Sequence, residues 1–256
     1  MAAPIVLPIA PMVRPSVLDG QENGQLDERL LVPTGIPGLS MVRPAARAMI
    51  AMVLVMMAEL GPQLVMRQVG GYRDLSGQWR IFGGSAARYR PVSYNEWQTT
   101  PTNRRKTWRA ADRRKVAAAL GTTIPESDYW VKIRNADGSY PATAAVPGTS
   151  NHGWALAADL AEEYDNDTAA DPILLPTVLW LIDHAHEFGY SAESQEERWH
   201  WRYVAGDAIP WRVLDVEAFL AGAANPPEPT PKKEITMLLY EWRKGTPDFT
   251  VVTFSG

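Results

Sequence analysis

The sequence predicts an α+β fold: a small, mainly antiparallel sheet with helices packed on its outer side. Three observations point to it. An apolar window at 48–58, within a helix expected over 44–60, is followed by Gly61-Pro62, where glycine caps a helix and proline forbids its continuation. Helical segments recur at 101–120, 176–188 and 211–221, each closed by or near a glycine. The strand-like stretches between them are short, apolar at 64–69 and aromatic at 199–204.

Taken in order, residues 1–44 hold seven prolines and little periodicity, which predicts an extended segment wrapping a core. Three of those prolines break the apolar N-terminus, which lacks a basic leader, so no secretory signal is expected and synthesis in the cytoplasm follows. The most apolar window, 48–58, is far short of the ~20 residues that cross a bilayer, so a buried helix is expected and no membrane insertion. Thr100-Pro101 reads as the cap and first residue of a basic helix to Leu120, carrying Arg104, Arg105, Lys106, Arg109, Arg113, Arg114 and Lys115 against Asp112. Its readings are a solvated face of an insertion, attachment to anionic wall polymers, or nucleic-acid binding, in falling order. The catalytic domain is expected over 1–224. A proline-rich linker over 225–234 and a short β-rich segment over 235–256 follow, the latter too small for its own core. It is either part of a truncated wall-binding domain or a strand pair that docks elsewhere.

Composition narrows the chemistry. With 256 residues and no cysteine, the chain has no disulfide framework, thiolate metal site, iron–sulfur cluster or cysteine nucleophile. A net charge of −4 gives no global drive toward nucleic acid. Any metal must be held by carboxylates and the four histidines.

The residues that fit that requirement are Ser150-Asn151-His152 through Asp159, joined with Glu197-Arg198-Trp199-His200-Trp201. His152, Asp159 and His200 make three nitrogen and oxygen ligands of the type zinc accepts, leaving a fourth position for water. Glu197 is placed to take a proton from such a water, and Arg73 is a candidate cation for a developing oxyanion. Trp154, Trp199 and Trp201 flank the proposed centre and are candidates to line a substrate groove. His184 and His186, two apart on a helix, diverge too far to chelate together.

These motifs resemble the VanY-type zinc D-Ala-D-Ala carboxypeptidases of the LAS metallopeptidases. Ser-x-His with Asp seven residues after the histidine, Glu-x-Trp-His-Trp, and an upstream Gly71-Tyr72-Arg73 with Gln78 stand in the family's order. The resemblance implies His152, Asp159 and His200 as zinc ligands and Glu197 as catalytic base. It also implies Arg73 as a substrate or transition-state contact, Ser150 as a supporting polar residue and Gln78 as part of the substrate site. One departure is Ala155, where the family usually has glycine.

The implied activity is zinc-dependent cleavage of peptidoglycan stem peptides, as an L-Ala-D-Glu endopeptidase or a D-Ala-D-Ala carboxypeptidase. A cytoplasmic origin with a wall substrate fits a phage endolysin released through a holin. The alternatives are a non-catalytic wall-binding module on the same fold and a cytoplasmic D-Ala-D-Ala dipeptidase.

Overall fold

A computed structural model describes residues 6–61, 70–84, 88–140, 144–160, 174–195 and 197–222, with the backbone of 235–243 and 246–254. The expected strand at 64–69 and the linker at 225–234 lie outside the described residues. In chain order the elements are β1 (Leu31–Pro33), β2 (Ser40–Val42), α1 (Arg43–Leu60), α2 (Leu75–Trp79), β3 (Tyr89–Pro91), α3 (Tyr94–Thr99), β4 (Arg105–Thr107), α4 (Ala110–Leu120) and β5 (Tyr129–Lys132). They continue with β6 (Ala157–Asp159), α5 (Leu174–His184), β7 (Tyr190–Ala192), β8 (His200–Tyr203), α6 (Trp211–Leu220), β9 (Ile235–Arg243) and β10 (Thr246–Phe254). Every strand pairing within these sheets is antiparallel, and the α+β expectation holds.

The described residues form two compact units. One draws on Met1–Asp19, Arg29–Gly71 and Leu156–Gly256, the other on Gly20–Glu28 and Tyr72–Ala155.

In the first unit, β6, β8 and β7 form a sheet with β8 at its centre. Trp201 and Tyr203 project from alternate positions of β8 and are fully buried, as are Phe188 and Tyr190 before and on β7. Helix α1 buries Ala45, Ala48, Met49, Met52 and Met56 at helical spacing, the apolar stripe that the sequence run predicts. The Tyr190 hydroxyl donates to the Ala45 carbonyl at 2.7 Å, tying β7 to α1. Arg47 on α1 and Glu217 on α6 form a two-pronged ion pair. The N-terminal segment does wrap this unit: Ile9 and Val13 make parallel bridges to Ala192 and Ala205.

The second unit is organised around aromatic rings. Phe82 stacks on Tyr89 at 4.5 Å and meets Trp108 edge-on at 5.0 Å, with Trp130 at 5.7 Å. Strands β3 and β4 flank β5.

This core explains why the basic helix of 101–120 does not form as one element. The helix is confined to Ala110–Leu120; before it, Thr102–Arg104 is a 3-10 turn and Arg105–Thr107 pairs with β5. Strand pairing and complete burial of Trp108 outweigh the helix signal at Thr100-Pro101. The charges are also spoken for. Arg113 is buried against Asp128 and the Trp108 carbonyl, Arg109 pairs with Asp112, and Lys115 with Glu22. Arg104 and Arg105 each lie 4.2 Å over a ring, Tyr140 and Trp97 respectively. The basic residues of 101–120 are therefore divided among a 3-10 turn, a strand and the helix α4. The expected helix at 176–188 is likewise an α-helix to His184 followed by a 3-10 turn over Ala185–Phe188.

Candidate metal centre

Asp159 and His200 are register partners across β6 and β8. Residues directly opposite on antiparallel strands bring their side chains together, and here Asp159 Oδ1 lies 2.9 Å from His200 Nδ1. The Asp159 amide donates to the Gly70 carbonyl at 3.0 Å. A side chain at Gly70 would meet Asp159 Oδ2 at 2.5 Å, so this approach requires glycine.

His200 is buried, and its other nitrogen, Nε2, lies 2.7 Å from Glu193 Oε2. Burial disfavours a charged ring, but hydrogen bonds and attraction from Asp159 and Glu193 outweigh it. The His200 pKa is pushed up to about 9.

His152 sits on a 3-10 turn, Asn151–Trp154, and is held by contacts inside the second unit. Ser150 Oγ accepts from the His152 amide at 3.3 Å, and the Arg73 amide donates to the His152 carbonyl at 3.0 Å. Asn23 Nδ2 donates to the Ser150 carbonyl at 2.7 Å, and the Gly24 amide to the Gly153 carbonyl at 2.8 Å. Gln78 completes the clamp: Nε2 donates to Asn23 Oδ1 and the Arg73 carbonyl, and Oε1 accepts from the Gly148 amide. Added at Gly153, a methyl group would collide with Asn23 and Gln78, at 2.1 and 2.3 Å.

Ala155 closes the turn at φ 52°, the one left-handed residue among the described non-glycines. This is the position where the resembled family has glycine, and the backbone gives the reason: glycine adopts this conformation without the cost a Cβ imposes.

His152, Asp159 and His200 are the candidate metal-binding set among the described residues. Two imidazole nitrogens and one carboxylate oxygen are the donor chemistry of a three-ligand zinc site with an open position, so the residues fit a metal of that class. Glu197 is half-buried at the turn into β8, and its carbonyl accepts from the His200 amide at 3.0 Å. Trp154 and Arg73 are half-buried.

Two residues expected at the substrate site, Gln78 and Trp201, are buried. Gln78 is buried, with both ends of its amide engaged in the clamp. Trp201 is fully buried and its indole N–H donates to the Arg198 carbonyl at 3.0 Å, which makes it a core residue of β8. Ser150 is buried too, and acts on the turn that carries His152. Conversely, Asn23 and Glu193 stand in no motif that sequence reading singles out, yet both contact the residues of this centre or its turn.

A mixed helix and sheet chain with a His–Asp–His cluster has the makings of a metal-dependent hydrolase. The VanY family model, described as D-alanyl-D-alanine carboxypeptidase, matches residues 39–206, and the chain belongs to that family. The family is one of hydrolases acting on peptidoglycan peptides. No curated protein matches the chain, and no solved structure does. No helix among the described residues is long and apolar enough to cross a membrane.

Proposed function

We propose that this chain is a zinc-dependent peptidoglycan peptidase acting on stem-peptide amide bonds, with His152, Asp159 and His200 as ligands. The observation that supports the reading is the Asp159–His200 pair, 2.9 Å apart across β6 and β8, in a chain of the VanY family whose His152 supplies a third donor of the same class. A bound zinc supplies Lewis acidity and a water acidified toward pH ~7.

The chain's own groups account for the rest. Glu197, three residues before His200 and turned at the start of β8, takes the proton of the attacking water and delivers it to the leaving amine. Arg73, whose backbone is bonded to His152, offers a guanidinium to the developing oxyanion or to a substrate carboxylate. Trp154, on the His152 turn, is a candidate wall of the groove. Release of this enzyme onto the wall as a phage endolysin fits the proline-rich linker and the short β segment after it. A lytic role favours cutting within the stem, at L-Ala-D-Glu, over trimming the terminal D-Ala.

The test is digestion of purified muropeptides by the zinc-loaded chain, with product masses read for wild type and Glu197→Gln. A new D-Glu amino terminus marks an endopeptidase and loss of a single alanine marks a carboxypeptidase. Glu197→Gln is expected to keep its zinc and lose about 10²–10⁴-fold in rate. No product from the zinc-loaded wild type overturns the proposal in favour of a wall-binding module, and full activity in Glu197→Gln overturns the assigned base.

A further inference from the structure

Glu193 belongs to none of the motifs that define the family resemblance, and its place in the sheet gives it a distinct task. It follows β7, whose last residue, Ala192, pairs with Trp201 of β8. The chain therefore leaves the sheet beside His200, and Glu193 Oε2 reaches His200 Nε2 at 2.7 Å. The opposite edge of the ring, Nδ1, lies 2.9 Å from Asp159 Oδ1. Glu193 Oε1 lies 3.9 Å from the Arg202 guanidinium, two residues along the same strand and on the same face as His200.

A neutral imidazole carries one proton, on either nitrogen, and only the bare nitrogen can bind a metal. An ionised carboxylate accepts hydrogen bonds and donates none, so the nitrogen facing Glu193 must carry the proton. Nδ1 faces the Asp159 carboxylate at 2.9 Å and by the same argument carries a proton in the metal-free ring; a metal held beside Asp159 would replace that proton, leaving Nε2–H on Glu193 and the lone pair on Nδ1. Glu193 approaches the far nitrogen, so it is not a fourth ligand to the ion that His200 Nδ1 would bind.

We propose that Glu193 is the positioning residue of the metal centre: by accepting the Nε2 proton of His200 it fixes that ring's tautomer and orientation and presents Nδ1 to the metal. The proposal rests on the metal-centre reading above and adds to it a residue that acts only through His200. A carboxylate behind a ligating histidine also makes the ring a stronger donor, and loss of such a partner typically loosens metal by about 10–100-fold.

The experiment measures zinc affinity of the full chain by competition with a chromophoric chelator, for wild type, Glu193→Met, Glu193→Ala and Glu193→Gln. Glu193→Met keeps the volume while removing the acceptor, and serves where Glu193→Ala does not fold. Glu193→Met and Glu193→Ala are expected to bind zinc about 10–100-fold more weakly than wild type. Glu193→Gln, whose amide oxygen still accepts from Nε2, is expected to restore most of that loss, a rescue that a merely structural role would not give. In the zinc-loaded wild type the His200 Nε2–H should appear as a slowly exchanging imidazole proton by nitrogen-edited NMR, and it should be lost in Glu193→Met. Wild-type zinc affinity in Glu193→Met overturns the role of Glu193 while leaving the metal centre standing. A wild-type chain that takes up no zinc overturns the metal centre itself, and this proposal with it.

Discussion

Asp159 and His200 are held by backbone pairing, whereas His152 is held by side chains. Across β6 and β8 the register alone sets Asp159 opposite His200, and the same ladder continues through Ala158 and Trp201 to Ala157 and Arg202. The His152 turn has no such ladder. Its position depends on Asn23, Gln78 and Ser150, three polar residues whose contacts span up to 127 positions of sequence. A ligand pair on a sheet is robust to changes in its surroundings, because moving it means slipping a strand and reversing every side chain. A ligand on a clamped turn is only as well placed as the clamp.

The largest expected effect comes from crowding that clamp. Gly153→Ala puts a methyl group into Asn23 and Gln78, and should cost about 1–3 kcal/mol in urea denaturation while also weakening zinc binding. Unchanged zinc affinity in that variant would mean the turn is anchored by something other than these two amides. On the sheet side, Tyr190→Phe removes the hydroxyl that reaches Ala45 from β7, and should cost about 1 kcal/mol. Zinc affinity should not move, because β8 keeps its backbone partners; a parallel loss of metal would erase the distinction between the two modes of support.

The smallest effect lies at the Arg47–Glu217 pair, distant from the ligands in sequence and more than a third exposed on both sides. Hydrogen bonding from Arg47, against a smaller opposing effect of burial, lowers the Glu217 pKa. A carboxylate whose folded pKa is depressed stabilises the fold at pH above its unfolded value, and this contribution disappears as pH falls through the folded value. Discounted for solvent screening, Glu217→Gln should cost about 0.5 kcal/mol or less at pH 7. Its denaturation midpoint should converge with wild type in acid, below pH ~4; a gap that persists there would assign the effect to packing.

The candidate metal-binding set was legible in the sequence because it is encoded locally, in His152 to Asp159 and in Glu197 to His200, with short fixed spacings. Helix α1 was readable for a similar reason, since one apolar stripe and one Gly-Pro stop define it. The supporting residues were not. Asn23 and Glu193 are ordinary polar residues whose meaning lies in partners far along the chain or across a strand pair, and neither leaves a periodic trace. The basic segment misled for a physical reason as well. Its second half, Ala110–Leu120, is a genuine helix, and nothing local reveals that Arg105–Thr107 has a strand to pair with or that Trp108 belongs to an aromatic core. The burial of Trp201 and Gln78 was not legible either: proximity in sequence to a candidate site residue says little about which way a side chain faces.

The left-handed backbone at Ala155 makes the interval between His152 and Asp159 a ruler. Two residues of 3-10 helix after His152, a reversal at Ala155, Leu156 and three residues of strand make up the seven steps. One extra residue after Ala155 would present Asp159 on the opposite face of β6. Two would restore the face but carry the carboxylate about 6–7 Å along the strand, past His200. The register of Asp159 against His200 thus depends on the length of this interval.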